Sequence, residues 1–132
     1  ELLDAQHRID ALKVARVSQD FESVVIGFKR AINILKGYSS TKEVNPSLFS
    51  EPAEKDLHQS FLKAKEKIDL HLRQRAYESA ILEMTRMRKP IDTFFDKVMV
   101  MVEDEKIRNN RLALLNGIGQ LFLRIADFSK LS

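Results

Sequence analysis

The residues of this chain that could do chemistry are few, and their spacing limits what they can do. His7, His58 and His71 stand far apart in sequence and lack the one-turn spacing with which two histidines on a helix grip zinc. Asp92 and Asp96 lie one helical turn apart and could meet as paired carboxylates. General acid–base work needs surroundings that split their pKa values, whereas pairing with Arg88 or Lys97, or capping a helix opened by Pro90, needs only proximity. Gly117-Ile118-Gly119 has two glycines of a dinucleotide loop but lacks the third, and it sits inside a helical pattern instead of after a strand. Each glycine there costs roughly 1 kcal/mol against alanine, which predicts a close approach of two helices. No serine or threonine has a histidine beside it. These groups give no catalytic site and no metal site.

Charge is the other chemical resource. The net charge is +3, too weak a bias to identify a binder of polyanions by itself. Its distribution is uneven. Between His71 and Pro90, Arg73, Arg75, Arg86, Arg88 and Lys89 face only Glu78 and Glu83. A solvated helix face explains that run as well as a binding surface does.

The elements that must carry these residues are helices. The 132 residues amount to about one domain, and a composition of 44% hydrophobic and 31% charged residues permits a real core. There is no cysteine, so disulfides and thiolate metal sites are excluded. No apolar run approaches the roughly 18–20 residues of a membrane span; Val98 to Val102 is the longest candidate. Because the sequence opens at Glu1, it reads as a fragment of a longer protein.

Periodicity predicts an all-α chain, a single bundle of about six helices over residues 1–132. The first runs from about Asp4 to Val17. The second, Asp20 to Lys36, is the cleanest: Phe21, Val24, Val25, Phe28, Ile32 and Leu35 share one face, Lys29, Arg30, Asn33 and Lys36 the opposite one, and Gly37 ends it. Tyr38 to Phe49 reads as a loop. Pro52 opens a third helix, with Glu54 complementing its positive end and Leu57, Phe61, Ala64, Ile68 and Leu72 inward. After a turn near Leu72 to Arg75, a fourth helix carries Tyr77, Ala80, Ile81, Met84 and Met87 and is ended by Lys89-Pro90. A short fifth spans Ile91 to about Met99. The Val98–Val102 run reads as a helix end plus a buried connection, its methionines filling gaps in the core. Asp104 and Glu105 start a long apolar last helix to about Phe128, which belongs near the centre.

Four blocks along this frame carry a resemblance: FKRAINIL (28–35), NPSLFSEPAEKDL (45–57), KPIDTFFDKVMVM (89–101) and RNNRLALL (108–115). In this order and spacing they resemble the C-terminal helical domain of the bacterial glycyl-tRNA synthetase beta subunit. That domain is related to the helical anticodon-binding domain of arginyl-tRNA synthetases, the class I-type architecture named for an Asp-Ala-Leu-Arg tetrad. Asp10-Ala11-Leu12-Lys13 departs from the tetrad at its last position. An arginyl-type domain is the nearest alternative, and a helical protein-interaction bundle with no RNA role is the other.

The resemblance implies a module that grips the anticodon arm of a glycine tRNA in the cytoplasm. Its parent would be an ATP-dependent ligase using magnesium, with the catalytic centre on a separate alpha subunit in an alpha2beta2 assembly. This chain would then hold no cofactor and no catalytic residue. Lysines and arginines would hold phosphates; asparagines, arginines or backbone groups would read splayed bases. The candidates are Lys29, Arg30, Asn33 and Lys36 on the second helix, Arg86, Arg88 and Lys89 as a second cluster, and Arg108, Asn110 and Arg111 at the start of the last. Tyr38 and Tyr77 are the candidate stacking aromatics.

Overall fold

The computed structural model describes residues 19–38 and 43–130, with side chains as far as Ala126. The helix expected over 4–17, the tetrapeptide at 10–13 and His7 lie outside the described residues. Among those described there are five α-helices and one 3-10 turn, and no strand: α1 (Gln19–Leu35), the 3-10 turn Pro46–Leu48, α2 (Pro52–Arg73), α3 (Tyr77–Thr85), α4 (Arg88–Lys97) and α5 (Glu105–Lys130).

The helix ends obey local chemistry. Gly37 takes φ +85 just beyond α1, and Tyr38 donates back to the Leu35 carbonyl. Asp104 accepts from the Ile107 N–H and opens α5. The turn between α2 and α3 contains no glycine. Arg75 adopts φ 57 there, and Ala76 donates to the His71 carbonyl while Arg75 donates to that of Leu72. This closes the helix in the manner usually left to glycine, at a cost of about 1–2 kcal/mol.

The joint after α3 differs from the sequence expectation. α3 ends at Thr85, and α4 begins at Arg88 instead of after Lys89-Pro90. Pro90 is the third residue of α4, and the first turn-closing bond comes one residue later, from Ile91 N–H to the Met87 carbonyl. First-turn amides have no partner inside a helix, so a proline there loses nothing.

α5 is the hub. Asn110 to Leu115 are buried on every side, and Ile118, Leu121 and Ile125 continue inward. Phe28 of α1 stacks on Phe122 of α5 with centroids 4.1 Å apart, while Ile32 and Leu35 flank Gly119; the two helices are antiparallel. Along α2, Glu54, Phe61 and Asp69 meet Arg111, Gly117 and Arg124, so α2 runs parallel to α5. The ring of Phe61 lies 3.1 Å from where a Cβ of Gly117 would stand, which accounts for that glycine as a close approach.

The tightest approach is at Gly27, between α1 and α4. A Cβ there would lie 2.6 Å from Cγ2 of the buried Ile91. Contacts from Asp20 to Arg88, Gly27 to Ile91 and Arg30 to Phe95 follow the same order on both helices, which therefore lie side by side and parallel. Ile91 is branched at Cβ and cannot swing its methyl aside. Gly27→Val is therefore expected to lower stability by about 2–3 kcal/mol, read as a shift in urea midpoint. An unchanged midpoint would mean that α1 and α4 can part without loss.

Candidate nucleic-acid interface

α1 presents its polar side to solvent because its other side is the core. Val24, Phe28 and Ala31 are buried, and Lys29, Arg30, Asn33 and Lys36 are exposed. Lys29, Asn33 and Lys36 follow one another four and three residues apart on one side, with Arg30 beside them, so three charges and an amide stand together where phosphates could lie. Arg30 is fixed in place. Its guanidinium carbon lies 4.5 Å from the centroid of Phe95 on α4, a cation–π contact that leaves the arginine open to water. The Phe95 ring is itself half-buried, edge-on to Phe94.

The segment after α4 completes this corner. Val98 has extended backbone, and the side chains then alternate. Val98 and Val100 turn inward at 6% exposure each, whereas Met99 and Met101 turn outward at 71% and 46%. These two methionines were expected in the core; a chain of period two, not a helix end, sends them to the surface. Together Arg30, Ile34, Phe95, Asp96, Lys97 and residues 98–101 line a groove of about 500 Å³.

The other candidates fall into different roles. Arg111 and Asn110 are each 5% exposed and are committed to the fold. Arg111 was expected at the RNA surface. It lies instead against the fully buried Glu54, Nε to Oε1 at 2.9 Å, with further bonds from its guanidinium to the Ser50 hydroxyl and the Met99 carbonyl. Asn110 accepts from the Asn45 N–H at 2.7 Å and donates to the Asn45 carbonyl at 3.0 Å, pinning the loop before α2. Both sit on the helix that fills the centre, so their polar groups are spent on partners inside the fold: Arg111 on Glu54, Ser50 and Met99, Asn110 on the Asn45 backbone. Arg108 donates to the carbonyls of Val102 and Glu103.

In the second cluster, Arg86 pairs with Glu83 at 2.7 Å, and Arg88 bonds Asp20 at 2.8 Å and reaches Asp92 at 3.6 Å. Their charge is largely offset, while Lys89 is exposed. Arg88 thus takes the Asp92 carboxylate, and Asp96 stands apart in the groove wall. Tyr77 is buried in the core, and Tyr38 is exposed just past α1.

A second concavity of about 780 Å³ lies between the loop at Glu43 to Leu48 and the start of α5. Glu43 and Glu105 oppose a single lysine, Lys106, at its rim, which disfavours phosphate. The groove beside Arg30 has the opposite balance. Its signal in the sequence was the Phe-Phe pair before an alternating Val/Met run; Met99 is expected there as a core residue, and Phe95 is given no role.

Comparison with known proteins identifies the family. The chain is 42% identical over 132 residues to the glycine–tRNA ligase beta subunit of Citrifermentans bemidjiense, a match over 100% of this chain and 19% of that protein. It is 44% identical over 131 residues to the corresponding subunit of Geotalea daltonii and 40% identical over 131 residues to that of Syntrophus aciditrophicus, in each case over 99% of this chain and 19% of the relative. The chain thus spans about a fifth of the length of the curated relatives it matches. No helix among the described residues is long and apolar enough to cross a membrane. Residues 24–127, which take in the basic side of α1, the groove and most of α5, match the model of the DALR anticodon binding domain, and the chain belongs to that family.

Proposed function

We propose that this chain is the anticodon-arm recognition module of a cytoplasmic glycine–tRNA ligase, carried by its beta subunit. The observation that carries the reading is the exposed row Lys29, Arg30 and Asn33 on α1 with Lys36 just past its end, running beside a groove lined by Phe95. Phosphates of the anticodon loop would lie along the row. Arg108, held beside Val102, would extend the contact past the end of the groove; Lys89 stands on the side of α4 that faces α2. Glycine transfer, with its ATP and magnesium, would take place on the alpha subunit of an alpha2beta2 assembly, and this chain would add grip and selectivity. The helix expected over 4–17 would complete a six-helix bundle of the class I type.

Fluorescence anisotropy of the full-length protein with a glycine tRNA, across a salt series, tests this. Affinity should fall steeply with salt, because phosphate contacts release counterions. It should also fall at least about tenfold when the anticodon is substituted, since unmatched base contacts cost roughly 1–3 kcal/mol each. Equal affinity for both tRNAs would reduce the surface to a generic basic one and overturn the reading.

A further inference from the structure

We infer that the groove between α1 and residues 98–101 receives one unstacked base of the anticodon loop, held against the Arg30–Phe95 pair. This inference rests on the anticodon reading above and assigns it a receptor.

Three features fit a base better than any other occupant. The first is charge: Arg30 and Lys97 stand at the groove with Asp96 as its one carboxylate, and Lys29 and Lys36 continue the positive row on α1. A base is tethered to phosphates on both sides, so a groove that sets Phe95, Ile34 and two methionines beside cations matches it where a plain apolar peptide would leave those cations unused. The second is surface chemistry. Single-stranded bases stack on aromatic rings and guanidinium planes, and here the two are already joined at 4.5 Å. Met99 and Met101 are unbranched and polarizable and can close over a ring from the other side.

The third is preorganisation. The segment bearing Met99 is an irregular chain, yet its carbonyl is held at 2.6 Å by Arg111, whose guanidinium is fixed by Glu54 at the centre of the fold. The groove is thus set before RNA arrives, which lowers the ordering cost of binding. Asp96 gives it an edge reader. A carboxylate accepts from exocyclic amino groups, so the slot favours cytosine, adenine or guanine over uracil.

The test uses the full-length protein and an anticodon stem-loop hairpin whose loop nucleotides are made abasic one at a time. Phe95→Leu keeps most of the packing volume and removes the ring; Met99→Ala changes a side chain that already stands in water and should not disturb folding. Each should weaken the intact hairpin, Phe95→Leu by about tenfold, and should cost nothing further against the hairpin abasic at one particular position. Losses that are equal for every hairpin, or absent, would overturn the groove assignment while leaving the anticodon reading standing. Failure of the unaltered protein to bind the intact hairpin would overturn both. Asp96→Asn should narrow the discrimination against uracil at the same position; unchanged discrimination would remove Asp96 from the assignment.

Discussion

Glu54→Ala is expected to destabilise the protein by about 3–5 kcal/mol, enough to unfold a marginal domain at ambient temperature. Glu54 is fully buried, and its carboxylate accepts from the backbone of Ser50 and Glu51, both at 2.9 Å, and from Arg111. Removing it strands a guanidinium that is itself 5% exposed, and frees two amides at the start of α2. The cost is that of an unpaired buried charge, not the net worth of the pair. Glu54→Leu with Arg111→Met should therefore recover much of the loss, because apolar groups of similar size leave nothing unpaired. Equilibrium urea unfolding of the three proteins measures this. A double variant as unstable as Glu54→Ala would place the cost in the lost capping bonds.

The same carboxylate dictates a pH dependence. Burial pushes its pKa up, but the Arg111 side-chain bond, the Glu51 and Ser50 amides and the Arg111 charge together outweigh burial and hold it below the ordinary 4.5. A folded pKa below the unfolded one means the contribution is complete above 4.5 and is lost as pH falls beneath it towards the folded value. His58, against the ring of Phe49, is held below its ordinary 6.5 by burial. It takes up a proton more readily when unfolded than in the fold, so stability begins to fall as pH drops below 6.5. Urea midpoints should thus decline in two stages on acidification, and Glu54→Gln should abolish the lower one.

Much of this was legible because helices announce themselves locally. The apolar faces of α1, α2 and α5 follow from spacing, and Gly37, Pro52 and Asp104 mark their ends by backbone chemistry that needs no tertiary partner. Pro90 misled by two residues because proline is accepted anywhere in a first turn, whereas the turn expected near Leu72 to Arg75 is present between Arg73 and Tyr77 although it carries no glycine. The candidate surface was half legible for a related reason. Lys29, Arg30, Asn33 and Lys36 could be placed by their position opposite an apolar face. Arg111 and Asn110 could not, since whether an arginine on a central helix meets solvent or a buried glutamate depends on a residue 57 positions away. Phe95 and Met99 were hidden for the converse reason. Apolar residues read as core, and only the extended backbone after Lys97 turns Met99 outward.

Neutralising the basic side of α1 is the larger functional test. With Lys29, Arg30 and Lys36 all changed to glutamine, tRNA affinity near physiological salt should fall by about two orders of magnitude. Each lysine or arginine on a phosphate contributes roughly 0.7–0.9 to the log–log salt slope, so the slope should become shallower by about 2 to 3. These side chains are exposed and ion-pair with no carboxylate among the described residues, so stability should fall by no more than about 1 kcal/mol, the worth of the Arg30–Phe95 contact. The necessary control removes the same charge elsewhere. Lys63, Lys65 and Lys67 are exposed on α2, and their triple glutamine variant alters net charge identically. If the protein's overall field drew in tRNA, both variants would weaken binding alike, because long-range attraction depends on total charge more than on its address. If α1 holds the loop, only the first variant loses affinity and slope together, because counterions are released where phosphates are touched. Equal losses would move the binding surface off α1, and the groove beside Arg30 with it.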